Sequence, residues 1–101
     1  MKTYEAVFIL NEKQVNDGGE ALNRDIVEHL QKQGGRVLYQ NNMGRRQLAR
    51  PIKKQNTAIY LNYIFEMEPG DVETLKERYR LNPSVFRSSV FVYEGPPIKE
   101  T

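Results

Sequence analysis

The sequence predicts an α+β sandwich: a four-stranded sheet of order 2-3-1-4 with two helices on one face. Three observations carry that prediction. Hydrophobic spacing switches between the two-residue and the helical period in the order β-α-β-β-α-β. Two segments, around Tyr4 to Leu10 and Thr57 to Met67, are apolar on both faces and so require central positions in a sheet. Pro51, which has no N–H to give to a ladder, places the second strand at an edge.

Taken in order, Tyr4, Ala6, Phe8 and Leu10 alternate with Glu5, Val7 and Ile9 to form the first strand. After a polar, turn-rich stretch from Asn11 to Gly19, a helix is expected from Glu20 to Gln33, with Leu22, Ile26 and Leu30 as its inner stripe. Acids in its first turns complement the helix dipole, and Gly34-Gly35 supplies the stop. A second strand runs from Arg36 to Ile52, with a break expected at Gly44. The polar turn Lys53 to Asn56 makes it one arm of an antiparallel hairpin with Thr57 to Met67. Pro69 fits the first position of a second helix whose inner stripe is Val72, Leu75 and Tyr79, and Asn82-Pro83 ends it. Val85 to Tyr93 is the last strand. Right-handed crossovers through the two helices then force strand three between strands one and two, which is the ferredoxin-like arrangement. Residues 1–94 are expected to form this single domain and 95–101 a short flexible tail.

With 101 residues the chain has room for one domain. Its 39% hydrophobic and 28% charged residues exclude wholesale disorder. No apolar run reaches the roughly 20 residues of a membrane span, and the N-terminus is not that of a signal peptide. The absence of Cys excludes disulfides, thiolate metal sites and thiol nucleophiles, and fits a reducing cytosol. The net charge of +2 hides an uneven distribution. From His29 to Phe65 there is no Asp or Glu, whereas Lys32, Arg36, Arg45, Arg46, Arg50, Lys53 and Lys54 all fall there. Such a segment points to an anionic partner, most often nucleic acid; charge that keeps an edge hairpin soluble accounts for it equally well.

Two helices cover one sheet face only. With Tyr4, Phe8, Leu61, Tyr63, Phe65, Val90 and Val92 inward, the residues left facing out are Val7, Ile9, Tyr60, Asn62, Ile64, Phe91 and Tyr93. That apolar surface is larger than scattered single residues explain, and it implies a partner. RNA-recognition motifs stack bases on such a face through a Gly/aromatic alternation with basic residues. The third strand here, Asn56 to Tyr63, has neither the glycine nor the basic residue, so an aliphatic-rich face suits a protein better.

Residues 44–54, Gly44-Arg45-Arg46-Gln47-Leu48-Ala49-Arg50-Pro51-Ile52-Lys53-Lys54, closely resemble the pattern G-x-R-x-L-A-Y-P-I-x-K of the family of ribosomal protein six of the bacterial small subunit. Tyr4-Glu5, Arg80-Leu81-Asn82, Val85 and Arg87-Ser88 are similar to that family too, so the resemblance spans Met1 to about Tyr93. Arg50 departs from it, standing where the family usually has Tyr. The resemblance implies the ferredoxin-like fold and a cytoplasmic, ribosome-bound component of the small subunit. It also implies binding to ribosomal RNA together with ribosomal protein eighteen. Some relatives carry a long acidic C-terminal extension; no role resting on one is carried over to a chain ending Gly95-Pro96-Pro97-Ile98-Lys99-Glu100-Thr101.

On that footing Lys2, Arg45, Arg46, Lys53, Lys54 and Arg87 are the expected phosphate contacts, and Val7, Ile9, Tyr60, Asn62 and Ile64 the expected protein-partner surface, with Tyr60 as its anchor. Gly44 is expected to serve a bulge or tight bend that aims the two arginines, with plain edge-strand punctuation an equal reading. No cofactor, metal, membrane or small-molecule substrate is expected. His29, read as a surface or boundary residue, has no second ligand, and Asp25 and Glu28 read as surface charges beside Arg24 and Lys32. Ser88 and Ser89 have no base in range, and Gly34-Gly35 follows a helix where a phosphate loop would precede one. These observations exclude an enzyme. Two alternatives keep the fold with another role: a stand-alone RNA-binding module, or a homodimeric sensor paired through its sheets.

Overall fold

The computed structural model describes residues 2–15, 17–52 and 54–96. Its elements are β1 (Lys2–Leu10), α1 (Glu20–Lys32), β2 (Arg36–Ile52), β3 (Gln55–Met67), α2 (Pro69–Arg80) and β4 (Val85–Val92). They form one four-stranded sheet of order β2-β3-β1-β4, with every adjacent pair antiparallel, as the residue pattern required. Residues 97–101, most of the expected tail, lie outside the described residues.

The core lies between the helices and one sheet face. Tyr4, Ala6, Phe8 and Leu10 of β1 alternate with Leu61, Tyr63, Phe65 and Met67 of β3, and Ile26, Leu30, Val72, Leu75 and Tyr79 close over them from the helices. Phe8 meets Tyr63 and Tyr79 edge-on, with ring centroids 5.8 and 5.4 Å apart, a geometry worth about 0.5–1.5 kcal/mol per pair beyond the area buried. Leu22 is only half-buried, and His29 takes a place in the stripe, 9% exposed. His29 is therefore a core-edge residue, because positions 22, 26, 29 and 30 share one face of a 3.6-residue helix.

Asp25 is also more than a surface charge. Arg78 Nη2 donates to its Oδ1 at 2.9 Å and the Tyr79 hydroxyl to its Oδ2 at 2.7 Å, which ties α1 to α2. Burial opposes its ionisation, but the Arg78 and Tyr79 hydrogen bonds outweigh it and hold the carboxyl below its ordinary value. At the far end of α1 the chain passes so close to β3 that a Cβ at Gly35 would stand 2.9 Å from the Glu66 carbonyl oxygen and 3.0 Å from that of Leu30. Only glycine fits there.

β2 runs through 17 residues without the expected break, and the ladder shifts register between Asn42 and Gly44, which is the bulge expected of that glycine. Gly44 supplies the positive φ of +74° for that bulge, and the Asn42 side chain accepts a hydrogen bond from its N–H at 2.9 Å. The turn is also tighter, since Ile52 pairs directly with Gln55, and Lys54 takes a positive φ of 67°. Val92, expected inward, is 50% exposed at the sheet end.

Candidate RNA and protein interfaces

The register fixes what the uncovered face presents, row by row from β2 to β4. One row is Tyr39, Ile64, Glu5 and Phe91; the next is Asn41, Asn62, Val7 and Ser89; the third is Gly44, Tyr60, Ile9 and Arg87. Val7, Ile9, Tyr60, Asn62 and Ile64 are thus brought together on β1 and β3, as expected. They are not equivalent. Ile64 is only 6% exposed and is already covered within the monomer, whereas Val7, Ile9, Tyr60 and Asn62 are half-buried and keep surface to offer. Gly44 faces Tyr60 across the ladder, and a Cβ at that position would meet nothing within 4 Å.

Sequence reasoning left Glu5 and Phe91 out of this site, although both were placed on the outward face by alternation. Phe91 is 49% exposed. Glu5 lies between Ile64 and Phe91, and its Oε2 accepts a hydrogen bond at 3.0 Å from Asn62 Nδ2, which also reaches the Ala6 carbonyl at 3.3 Å.

The expected phosphate contacts do not form one cluster. Arg46 pairs with Ala58 on the open-face side of β2, and Arg87 pairs with Ile9 on the open-face side of β4. They stand at the same end of the face, three strand spacings (about 14 Å) apart across the sheet and one row apart along it. Lys54 stands exposed at the hairpin tip beyond the same end of the sheet. Lys53 lies outside the described residues.

Lys2 pairs with Met67 at the opposite end, about 23 Å along β1 from the residue beside Arg87, so it belongs to a different patch. Arg45, one residue from Arg46 on a strand, points to the other side. Its Nε meets Glu12 Oε1 at 3.0 Å, and the Thr57 hydroxyl donates to Glu12 Oε2 at 2.6 Å, so the carboxylate is held from two strands. This pair sits in a cleft of about 500 Å³ lined also by Lys13, Lys54, Gln55 and Asn56. Three cations against one carboxylate leave the cleft positive. Arg50 is exposed in the irregular stretch between the paired residues Gln47 and Ile52, where it adds charge to the hairpin.

These features define a class: an open-faced ferredoxin-like sandwich with an apolar sheet surface and cations gathered at one end of it. The chain belongs to the Ribosomal protein S6 family, whose model matches residues 3–91. A "Small ribosomal subunit protein bS6" from Helicobacter hepaticus is 34% identical over 95 residues, covering 94% of this chain and 69% of the relative. The protein of the same name from Akkermansia muciniphila is 29% identical over 85 residues, covering 84% and 90%. Among solved structures, 30S ribosomal protein S6 from Thermotoga maritima superposes with a TM-score of 0.85 at 25% identity over 91% of this chain and 87% of that one. The C-terminal domain of the MgtC protein from Mycobacterium tuberculosis shares the fold alone, at a TM-score of 0.64 and 13% identity over 98% and 95% of the two chains. The chain is accordingly a protein of the small ribosomal subunit. Among the described residues no helix is long and apolar enough to cross a membrane.

Proposed function

We propose that this chain is a structural, non-catalytic component of the small subunit that works through two adjoining surfaces. Arg46, Lys54 and Arg87 hold ribosomal RNA by its phosphates, and the open sheet face around Val7, Ile9 and Tyr60 seats ribosomal protein eighteen. The observation that carries this reading is the change of charge along the face: Arg46, Lys54 and Arg87 stand at one end, while two rows on from Arg87 lies a carboxylate, Glu5, flanked by Ile64 and Phe91. Phosphate favours the first environment and is repelled from the second. The family supplies the setting, and the positive cleft beside Lys54 widens the RNA surface toward the helix side.

Contacts of this kind position a protein without reading bases, so affinity for a central-domain RNA fragment is expected to fall steeply with salt. Replacing Arg46 and Lys54 together by Gln removes two phosphate contacts and reduces the slope of log affinity against log salt by about 1.4–1.8. An unchanged slope would place the RNA elsewhere. A stand-alone module would instead stack bases on the sheet face, and Glu5 on that face disfavours it. A homodimer paired through its sheets predicts a free protein of twice 11.8 kDa by gel filtration.

A further inference from the structure

Among the described residues of the open face, Glu5 is a carboxylate set directly between two apolar neighbours. Ile64 is its direct neighbour on β3 and Phe91 its direct neighbour on β4. A single neutral donor, Asn62 Nδ2 at 3.0 Å, fixes Oε2, and among the described residues no cation pairs with either oxygen. The other carboxylate on this face, Glu66 in the next row, is already matched by Arg36 Nη2 at 3.1 Å.

A surface that stays in water tolerates such a carboxylate. Covered by a partner, it becomes a desolvated charge whose penalty is removed only by an opposite charge with good geometry. The Asn62 amide holds the group in one place, so the position at which a cation must arrive is set before the partner binds. The exposed Phe91 ring beside it gives an arriving guanidinium a face to stack on.

We infer that Glu5 selects the occupant of the open face by accepting an arginine or lysine side chain from it, so that the partner is a polypeptide carrying a cation within its apolar contact segment. This rests on the proposed pairing with ribosomal protein eighteen and adds the charge by which that pairing is chosen. The same carboxylate turns away an RNA backbone, whose phosphates carry the opposite need.

Glu5→Gln tests it, since the amide oxygen still accepts from Asn62 and the side chain keeps its size. Binding of ribosomal protein eighteen to the full chain is measured by calorimetry for wild type, Glu5→Gln and Glu66→Gln, with thermal melts confirming that each is folded. The expected result is a complex weakened by about ten- to a hundredfold in Glu5→Gln and little changed in Glu66→Gln. Equal affinity for wild type and Glu5→Gln would overturn the inference while leaving the partner in place. Equal weakening by both substitutions would overturn it by showing a general charge effect. No complex with wild type would overturn the partner assignment, and this inference with it. In the RNA titration, tighter binding by Glu5→Gln than by wild type that requires the sheet-face residues Tyr60 and Ile9 would place an anion on the face and overturn it too.

Discussion

His29 is the only histidine of the chain, and its ring is buried at the edge of the core with Nε2 lacking a hydrogen-bond partner among the described residues. Asp25 and Lys32 approach it from its own helix and Arg78 from α2. Burial first, then Arg78 and Lys32, push its pKa below the ordinary 6.5, while Asp25 pulls the other way. The folded state therefore prefers the neutral ring, and the unfolded chain binds the extra proton first. Stability should be full above about pH 6.5 and fall as the pH drops below it. Urea midpoints of wild type and His29→Leu, compared at pH 7.5 and pH 5, check this: the wild type should lose more on acidification. Lys54 offers a second residue-scale test. Its positive φ is strained for any residue with a Cβ, so Lys54→Gly should raise stability by about 0.5–1 kcal/mol in chemical denaturation. The same change should flatten the salt dependence of RNA binding by about one phosphate contact. Stability and affinity move in opposite directions because the strained tip is where the charge is needed.

At the scale of elements, the helices are joined by Asp25, Arg78 and Tyr79 as well as by the apolar stripe. Asp25→Ala should cost about 1–2 kcal/mol, read as a shift of the denaturation midpoint with unchanged m-value. Because the Asp25 pKa is depressed, its contribution is present above about pH 3.8 and is lost as the pH falls through the depressed value. Sequence periodicity could not reveal this clamp: its partners are 53 and 54 residues apart, and spacing along a helix speaks only to neighbours three or four residues away. The inner stripes of both helices and the order of strands were legible, because burial imposes a period that the residues must carry. The opposite directions of Arg45 and Arg46 were legible too, from strand alternation. Charge alone groups them as one phosphate-binding pair, although the strand continues past the Gly44 bulge and alternation separates them. Lys2 was grouped with the hairpin cations by charge alone, and antiparallel topology sends it to the other end.

At the scale of the whole molecule, a single four-stranded sheet divides the work. One face is covered by helices and holds the fold together. The other is uncovered and combines Tyr60, Ile9 and Val7 with the fixed carboxylate of Glu5, while Arg46, Lys54 and Arg87 stand at one end of it. The two surfaces adjoin at the row of Gly44, Tyr60, Ile9 and Arg87, so occupants of both would touch each other as well as this chain. That adjacency predicts coupled binding, in which a protein seated on the face adds its own contacts to the RNA held at the end. Titration of the chain into central-domain small-subunit RNA, at two salt concentrations and with or without ribosomal protein eighteen, measures this most directly. The expected result is weak, steeply salt-dependent binding by the chain alone and at least tenfold tighter binding, on the order of 1.4 kcal/mol of coupling, when the partner is present. Tight binding by the chain alone that is indifferent to the partner would contradict it.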